Sequence, residues 1–219
     1  MFYLVPTLNR GEPNIVKKHQ DIRMPCVFRD CFEAPELSEG HKGLAAKLER
    51  ERVVGDGHLE PMFWIDDEDR TTLLHSDNFD NQIFIASGTK IFIFYSPRQH
   101  KSLYHSWSRL GRGRQSPLDI ENPDYERFPL YRNAKPEIAV VKAGDMLYIP
   151  ADWSHQVYTI NCEESRGIGI NYLYPVTLRE LWRNPSDKLS FALWTSVANV
   201  VVRAKRTLSG KRTATAQPF

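Results

Sequence analysis

The sequence predicts a mainly β domain, an antiparallel barrel or sandwich, from three observations. Seven short runs after residue 61 are rich in Ile, Val, Phe and Tyr: MFWI, NQIFIA, KIFIFY, EIAVV, DMLYI, QVYTI and GIGINYLY. Turn signals such as SGTK, KAGD and IPADWS separate many of these runs, a spacing typical of antiparallel strands. The chain has 219 residues, which is enough for one domain with a hydrophobic core.

The segments around these runs carry other signals. Residues 11–61 are polar, with short helical pieces expected around EGHKGLAAKLERER. The stretch KAGDMLYIP predicts a tight turn at Gly144 that leads into a buried strand. Residues 96–135 form a long polar insertion, for which two interpretations are about equal: a functional lid or binding loop, and a variable surface excursion.

After Pro175 the pattern becomes helical. Ser186 is a suitable N-cap and Gly210 a suitable stop. Between them, apolar residues recur at spacings of three and four, which predicts one helix of about six turns. This apolar stripe consists of Leu189, Leu193, Val197, Val200, Val201, Ala204 and Leu208. The stripe packs either on its own barrel or between the two subunits of a homodimer, and the tail 211–219 is expected to be disordered.

Composition excludes some function classes. The net charge of +2 comes from 29 basic and 27 acidic residues, so the chain as a whole offers no strong field for nucleic acid. The three cysteines form no disulfide framework or CxxC pair, which favours a reduced compartment. The N-terminus resembles no secretory signal, and no apolar run approaches the ~20 residues of a membrane span. We expect an intracellular protein, cytoplasmic or nuclear, without a membrane partner.

The stretch TTLLHSDNFDN places His75 and Asp77 two residues apart. On a strand such residues share one face, so both side chains would point at one spot. A polar turn at a strand end explains the pair equally well until IPADWSHQV adds His155 beside another strand. Two imidazoles and one carboxylate form the facial triad of non-haem Fe(II) oxygenases. A zinc enzyme or a storage-type cupin is an alternative, although no HExxH signature is present.

Two further points concern charged side chains. Lys90 opens the apolar run KIFIFY. It is either a turn lysine with its ammonium in water or a cation inside the barrel that pairs with an anionic co-substrate. The remaining histidines lie in polar stretches, so we expect each of them to be exposed: His19, His41, His58, His100 and His105.

Most of residues 62–175 resembles the JmjC-type, cupin-fold family of Fe(II)/2-oxoglutarate oxygenases. The resemblance runs from TTLLHSDNFDNQIFIASGTKIFIFYSP, through SPLDIENPDYERFPLYRNAKPEIAVVKAGDMLYIPADWSHQV, to GIGINYLYP. The chain is most similar to the subgroup of factor inhibiting HIF, an asparaginyl hydroxylase, and the tRNA wybutosine-pathway hydroxylase. The resemblance implies a double-stranded β-helix, or jelly roll, at 1–175 and a C-terminal helical extension at 176–210. It also implies that an N-terminal part of the domain is missing before FYL.

The resemblance assigns roles to individual residues. His75, Asp77 and His155 would ligate Fe(II) as the catalytic centre. The 2-oxoglutarate co-substrate would be held by Lys90 and Thr72 at its distal carboxylate, with Asn81, Asn171 and Tyr3 in the same pocket. Gln115 in GRGRQS matches a glutamine that contacts substrate, and the neighbouring Arg114 is a second candidate for substrate binding.

The expected activity is therefore a 2-oxoglutarate-dependent dioxygenase that uses O2 to hydroxylate a macromolecule. A protein side chain is the favoured substrate, because Gln115 could bind a peptide amide and ENPDYERFP resembles the asparaginyl hydroxylase. A tRNA base is the second candidate. Phe79 stands where the asparaginyl hydroxylase has a polar substrate contact, which argues against asparagine as the target. A JmjC-like binding protein that has lost turnover is the remaining alternative.

Overall fold

The chain folds mainly into β-strands in a computed structural model, which describes residues 3–9, 23–32, 59, 61–66, 69–107, 113–160 and 166–176. Fourteen strands and two short 3-10 helices, Pro97–Gln99 and Pro129–Asn133, lie within these ranges. The strands are β1 Tyr3–Leu4, β2 Thr7–Asn9, β3 Cys26–Arg29, β4 Met62–Asp66, β5 Arg70–Thr71, β6 His75–Asp77, β7 Phe79–Ser87, β8 Thr89–Tyr95, β9 Ser106–Trp107, β10 Gly113–Gln115, β11 Glu137–Lys142, β12 Met146–Ile149, β13 Ser154–Ile160 and β14 Gly167–Pro175.

The strands form two sheets. The larger has the order β1-β11-β8-β13-β6-β10-β9, with β5 paired to β13, and the smaller has the order β2-β3-β12-β7-β14-β4. Neighbours are antiparallel except for β1 with β11 and β2 with β3. All seven apolar runs found in the sequence are strands, so the predicted mainly β class is confirmed. From β11 to β14 the chain changes sheet at every connection.

The main core lies between the facing sheets. Phe92, Phe94 and Val141 of the larger sheet pack against Ile83 and Ile85 of the smaller sheet, and all five are buried. Because side chains alternate along a strand, the even-numbered residues of β8 and the odd-numbered residues of β7 point into this interior. Lys90 and Asn81 fall in these inward registers, so the fold itself directs two polar residues into the core.

The outer face of the larger sheet is covered by the segment 96–135. Leu103 and Leu118 of this segment pack on Tyr95 of β8 and on Leu74, which directly precedes β6. The hydroxyl groups of Tyr95 and Tyr131 are hydrogen-bonded at 2.8 Å. The insertion that the sequence marked as a lid or a surface excursion is therefore, in its described part, a packed layer that also supplies β9 and β10.

The predicted tight turn is confirmed at Gly144, where φ is +92° and the Asp145 N–H donates to the carbonyl of Lys142. Such a φ is strained for a side chain with a Cβ and free for glycine. The helical pieces near residue 40, the C-terminal helix and the tail lie outside the described residues. Within the described ranges, no helix has the length and apolarity that crossing a bilayer requires.

Candidate metal and co-substrate site

Two neighbouring strands bring together three side chains that could hold a metal ion. Strand β6 carries His75 and Asp77 on one face with Ser76 buried on the other, as the two-residue spacing predicts. In the β6–β13 ladder, His155 lies directly opposite His75. One ligand atom from each of the three residues lies within 4.8 Å of the others, and Nε2 of His155 is 3.9 Å from Oδ2 of Asp77.

Backbone carbonyls orient both imidazoles. Nδ1 of His75 donates to the carbonyl of Leu73 at 2.7 Å, and Nδ1 of His155 donates to the carbonyl of Trp153 at 3.1 Å. A carbonyl can only accept, so the proton is on Nδ1 and the lone pair is on Nε2. Both Nε2 lone pairs are therefore available to a metal ion between His75, Asp77 and His155. A second hydrogen bond that fixes the ring in this way is the usual arrangement for a histidine that binds a metal.

The site is buried on one side and open on the other. His155 is buried, whereas the side chain of Asp77 is 33% exposed. Burial, followed by the nearby His75, lowers the pKa of His155 from 6.5 to about 4. At neutral pH the imidazole of His155 is therefore uncharged, the form that binds a metal.

The loop before His155 is tied to β6, which carries His75 and Asp77, and to the neighbouring strand β7. The Asp152 N–H donates to the carbonyl of Asp77 at 2.7 Å, and the Ala151 N–H donates to Oδ1 of Asp80 at 2.8 Å. Asp152 adopts a φ of +71°, a left-handed conformation that Asp tolerates better than most residues. These bonds hold His155 in register with His75 independently of any metal.

Lys90 lies deep in the same interior. It is 5% exposed, and its Nζ donates to Oδ2 of Asp66 at 2.6 Å and to Oγ1 of Thr159 at 2.7 Å. A Cβ added to Gly169 would lie 3.5 Å from Cε of Lys90, so the lysine stem passes directly over this glycine of the facing sheet. Of the two interpretations of Lys90, the geometry supports a cation inside the barrel.

The strand ladder fixes the position of Lys90 relative to the metal-ligand side chains. On β13, Thr159 pairs with Lys90 and His155 pairs with Phe94, four residues away. Four residues span about 13 Å of strand. A lysine side chain and a five-carbon dicarboxylate could together bridge that distance.

Three other predicted co-substrate residues lie around this space. Thr72 exchanges hydrogen bonds with the backbone of Val157, which lies between His155 and Thr159 on β13. Asn81 and Asn171 are buried on β7 and β14. Their Oδ1 atoms have no hydrogen-bond partner among the described residues. A buried amide oxygen without a partner is unfavourable, so these two side chains suit a pocket that takes a polar ligand.

Tyr3 lies apart from Lys90. It is 47% exposed and pairs with Glu137 at the start of β11, whereas Lys90 lies opposite Val141 near the end of that strand. The four-residue separation is again about 13 Å. Glu137 pairs with Phe94, which pairs with His155, so Tyr3 lies nearer the His155 end of the strands. Its predicted place in the 2-oxoglutarate pocket stays a prediction.

The two predicted substrate residues have opposite surroundings. On β10, Gln115 pairs with His75, and Arg114 pairs with Ser76. Gln115 is exposed beside the metal-ligand side chains. Arg114 is on the opposite face, where its side chain is 12% exposed and its Nε lies 3.6 Å from Oδ1 of Asp152. Arg114 therefore supports the loop that precedes His155 and does not face the open side of the site.

The expectation that His100 and His105 are exposed is wrong. His100 is buried, and its Nε2 donates to the carbonyl of Asp152 at 2.8 Å. His105 is partly buried, and its Nε2 is hydrogen-bonded to Oγ of Ser154 at 2.8 Å. Burial lowers the pKa of His100 and lowers that of His105 to about 3. The other three histidines, His19, His41 and His58, lie outside the described residues.

Sequence reasoning missed Asp66 and Asp152. A signal for Asp66 was present, because a lysine in an apolar run needs a buried partner and Asp66 directly follows the run MFWI. No comparable signal pointed to Asp152, because its contacts with His100 and Arg114 join segments far apart in the chain.

The donor set fits the group that the resemblance implies. Two imidazoles and one carboxylate suit iron(II), and the exposed side of Asp77 leaves room for further ligands. A dicarboxylate inside the barrel would have the buried ammonium of Lys90 available to one carboxylate and the amides of Asn81 and Asn171 available to its other polar atoms. These features favour an oxygenase site over a closed structural metal site.

Comparison with known proteins agrees with this geometry. The family model described as "Cupin-like domain" matches residues 33–179. A tRNA wybutosine-synthesizing protein 5 from Gallus gallus is 36% identical over 100 residues, covering 46% of this chain and 29% of that protein. A bifunctional peptidase and (3S)-lysyl hydroxylase JMJD7 from Homo sapiens is 30% identical over 132 residues, covering 51% of this chain and 40% of that protein.

A JmjC domain-containing protein D from Dictyostelium discoideum is 32% identical over 107 residues, covering 48% of this chain and 24% of that protein. The chain thus matches less than half the length of each of these relatives. Their names confirm the JmjC resemblance seen in the sequence. One is named as a peptidase and lysyl hydroxylase and another as a tRNA wybutosine-synthesizing protein.

Proposed function

Because this chain belongs to the cupin-like domain family, we propose that it is an Fe(II)- and 2-oxoglutarate-dependent dioxygenase that hydroxylates a macromolecular substrate. The observation that carries the proposal is the convergence of His75, Asp77 and His155 at one end of a barrel interior that holds Lys90 at its other end. A metal site alone would suit many activities. The buried ammonium is what selects an anionic co-substrate.

His75, Asp77 and His155 would hold the iron, with both histidines fixed in the binding tautomer by backbone carbonyls. Fe(II), together with 2-oxoglutarate and O2, supplies the oxidising power to insert one oxygen atom into a C–H bond. The protein supplies position and the exclusion of water, so most of its contribution lies in the rigid strands around the site.

Lys90 and Thr72 would bind the distal carboxylate of 2-oxoglutarate. The interior around them is apolar, because Phe92 and Phe94 are buried on β8 and Val157 packs against the same core. A charge-assisted hydrogen bond is stronger in such surroundings than in water. Asn81 and Asn171 would satisfy polar atoms along the length of the co-substrate.

The two facing sheets support the implied jelly roll, and we include this topology in the proposal. Consecutive strands β11, β12, β13 and β14 alternate between the larger and the smaller sheet. In a double-stranded β-helix this alternation encloses a narrow interior with access from one end. The metal-ligand side chains lie at such an accessible end.

A protein side chain is the substrate that the site favours. Gln115 is exposed and lies opposite His75 in the β6–β10 ladder, so its amide can hydrogen-bond a peptide that approaches the iron. One relative is named as a lysyl hydroxylase. Arg114, the cation next to Gln115, is engaged with Asp152 and gives RNA no phosphate contact at this place.

A tRNA base is the second candidate, since another relative is named for wybutosine synthesis. Parallel incubations with a cellular peptide pool and a tRNA pool test which of these two substrate classes is hydroxylated. We expect a 2-oxoglutarate-dependent mass gain of one oxygen, ~16 Da, in the peptide pool. A gain confined to the tRNA would reverse the order. An absence of succinate release with either pool would support the alternative of an inactive JmjC-like binding protein.

Self-association through the apolar stripe Leu189–Leu208 is also part of the proposal, and it rests on sequence alone. Substituting Val197 and Val201 with charged residues should convert a dimer into monomers in sedimentation experiments, because a symmetric interface contains the stripe twice. A wild-type chain that already sediments as a monomer at micromolar concentration would contradict it. A cytoplasmic or nuclear location stays a proposal as well.

A further inference from the structure

Asp66 occupies the position on Lys90 that an anionic ligand would take. Its Oδ2 accepts from Nζ of Lys90 at 2.6 Å and from Oγ1 of Thr159 at 2.9 Å. The side chains of Asp66 and Lys90 are 6% and 7% exposed. The buried ammonium is therefore already neutralised by a carboxylate that belongs to the chain.

We propose that Asp66 is an internal competitor of the co-substrate: its carboxylate holds Lys90 until the distal carboxylate of 2-oxoglutarate replaces it. The inference rests on the proposed function. It makes Asp66 a residue that sets the affinity and the selectivity of the site for dicarboxylates.

Electrostatics explains why the two carboxylates compete. In a low-dielectric interior, two negative charges at one ammonium repel each other unless one binds a proton or a second cation. Thr159 cannot supply that charge, because its hydroxyl is neutral and already donates to Asp66. A dicarboxylate that binds at Lys90 would therefore displace the carboxylate of Asp66 from the ammonium.

Arg70 offers the displaced carboxylate a second cation. Its Nη1 lies 3.7 Å from Oδ1 of Asp66, and its side chain is 42% exposed. Asp66 is the last residue of β4, so its side chain can turn toward Arg70 and solvent without crossing the core.

The test is an anaerobic calorimetric titration of the Fe(II)-loaded protein, in which no turnover occurs. Asp66→Asn keeps the shape of the side chain and removes its charge. We expect the affinity for 2-oxoglutarate to rise about ten- to a hundredfold, as for one charge-assisted hydrogen bond gained. The affinity for 2-oxobutyrate, which has the same keto acid and no distal carboxylate, should not change. Asp69→Asn, an exposed acid on the same segment, is the matched control and should also leave both affinities unchanged.

A second variant keeps the inference testable if Asp66→Asn does not fold. Arg70→Gln removes the alternative partner of Asp66 at a half-exposed position. It should weaken 2-oxoglutarate binding severalfold, in the range of an exposed ion pair, and leave 2-oxobutyrate binding unchanged.

Unchanged or weaker 2-oxoglutarate binding in Asp66→Asn would overturn the inference and leave the proposed function intact, because the wild type would still bind the co-substrate. If Asp66→Asn is lost to misfolding, unchanged binding in Arg70→Gln would overturn it. A wild-type protein that binds Fe(II) and no 2-oxoglutarate, with Asp66→Asn equally inert, would instead remove the proposed function, and the inference with it.

Discussion

At the scale of single residues, burial decides what each polar side chain does. Lys90 on β8 and Arg114 on β10 are both long cations on strands, and neither local sequence shows which face of its sheet the side chain takes. The structure directs Lys90 into the apolar interior at 5% exposure and Arg114 to the opposite face of the larger sheet, against Asp152. A buried charge needs a specific partner, so the two residues have different partners and different expected roles.

Lys90→Met should weaken 2-oxoglutarate binding roughly ten- to a hundredfold, since a charge-assisted hydrogen bond contributes ~1.5–3 kcal/mol and each decade of affinity is ~1.4 kcal/mol. Equilibrium titration under nitrogen measures the effect. Lys135→Met, which removes the same charge from an exposed position, is the matched control. Equal affinities in Lys90→Met and wild type would mean that the co-substrate does not reach Lys90.

At the scale of elements, strand β10 depends on one glycine. A Cβ at Gly113 would lie 1.8 Å from the carbonyl oxygen of Ser76, far inside any allowed contact. Only glycine lets β10 pair with β6 at this position. The same pairing places Gln115 opposite His75. Gly113 therefore also determines the position of Gln115, two residues away, beside the candidate metal site.

Gly113→Ala should displace β10 and reduce the free energy of unfolding by ~1–3 kcal/mol, the usual effect of forcing extra atoms into a packed region. Chemical denaturation measures this. Gln115→Ala is the comparison, because it removes the side chain and leaves the backbone approach unaltered; it should change substrate turnover with little loss of stability. Equal stability of Gly113→Ala and wild type would show that β10 can move away freely.

At the scale of the whole molecule, a buried histidine makes stability depend on pH. Burial lowers the pKa of His105 from 6.5 to about 3, with the nearby His100 and Arg114 acting in the same direction. Between these values the unfolded chain binds a proton that the folded chain does not. The contribution of neutral His105 to the free energy of unfolding is therefore complete above pH 6.5 and is lost as the pH falls toward 3.

For the metal-free protein, we expect the free energy of unfolding to fall by up to ~1.4 kcal/mol per pH unit from His105 alone below pH 6. His105→Gln keeps a hydrogen-bonding group near Ser154 and removes the titration, so its stability should fall less steeply with acid. Denaturation curves at pH 7 and pH 5 give the comparison. If the free energies of unfolding of the variant and the wild type fell equally between pH 7 and pH 5, His105 would not be the cause of the pH dependence.

The sequence predicts the seven apolar strands and the shared face of His75 and Asp77 because both depend on local patterns. Short runs of β-branched and aromatic residues between turn signals mark the seven apolar strands, and the two-residue spacing puts His75 and Asp77 on one face of β6. Partners joined by long-range pairing were not predictable. Asp66 meets Lys90 across 24 residues, and His100 meets Asp152 across 52. Nothing local in the polar stretch around His100 marks it as buried.

The proposed iron centre is tested most directly by measuring bound Fe(II) and succinate formation in the wild type and in His75→Ala. The wild type should bind one Fe(II) per chain and convert 2-oxoglutarate to succinate when a substrate pool is present. His75→Ala should do neither while it keeps the wild-type β-sheet circular dichroism, because the backbone bonds that hold β6 and β13 in register do not involve the imidazole. Wild-type turnover by His75→Ala with added Fe(II) would contradict the assignment.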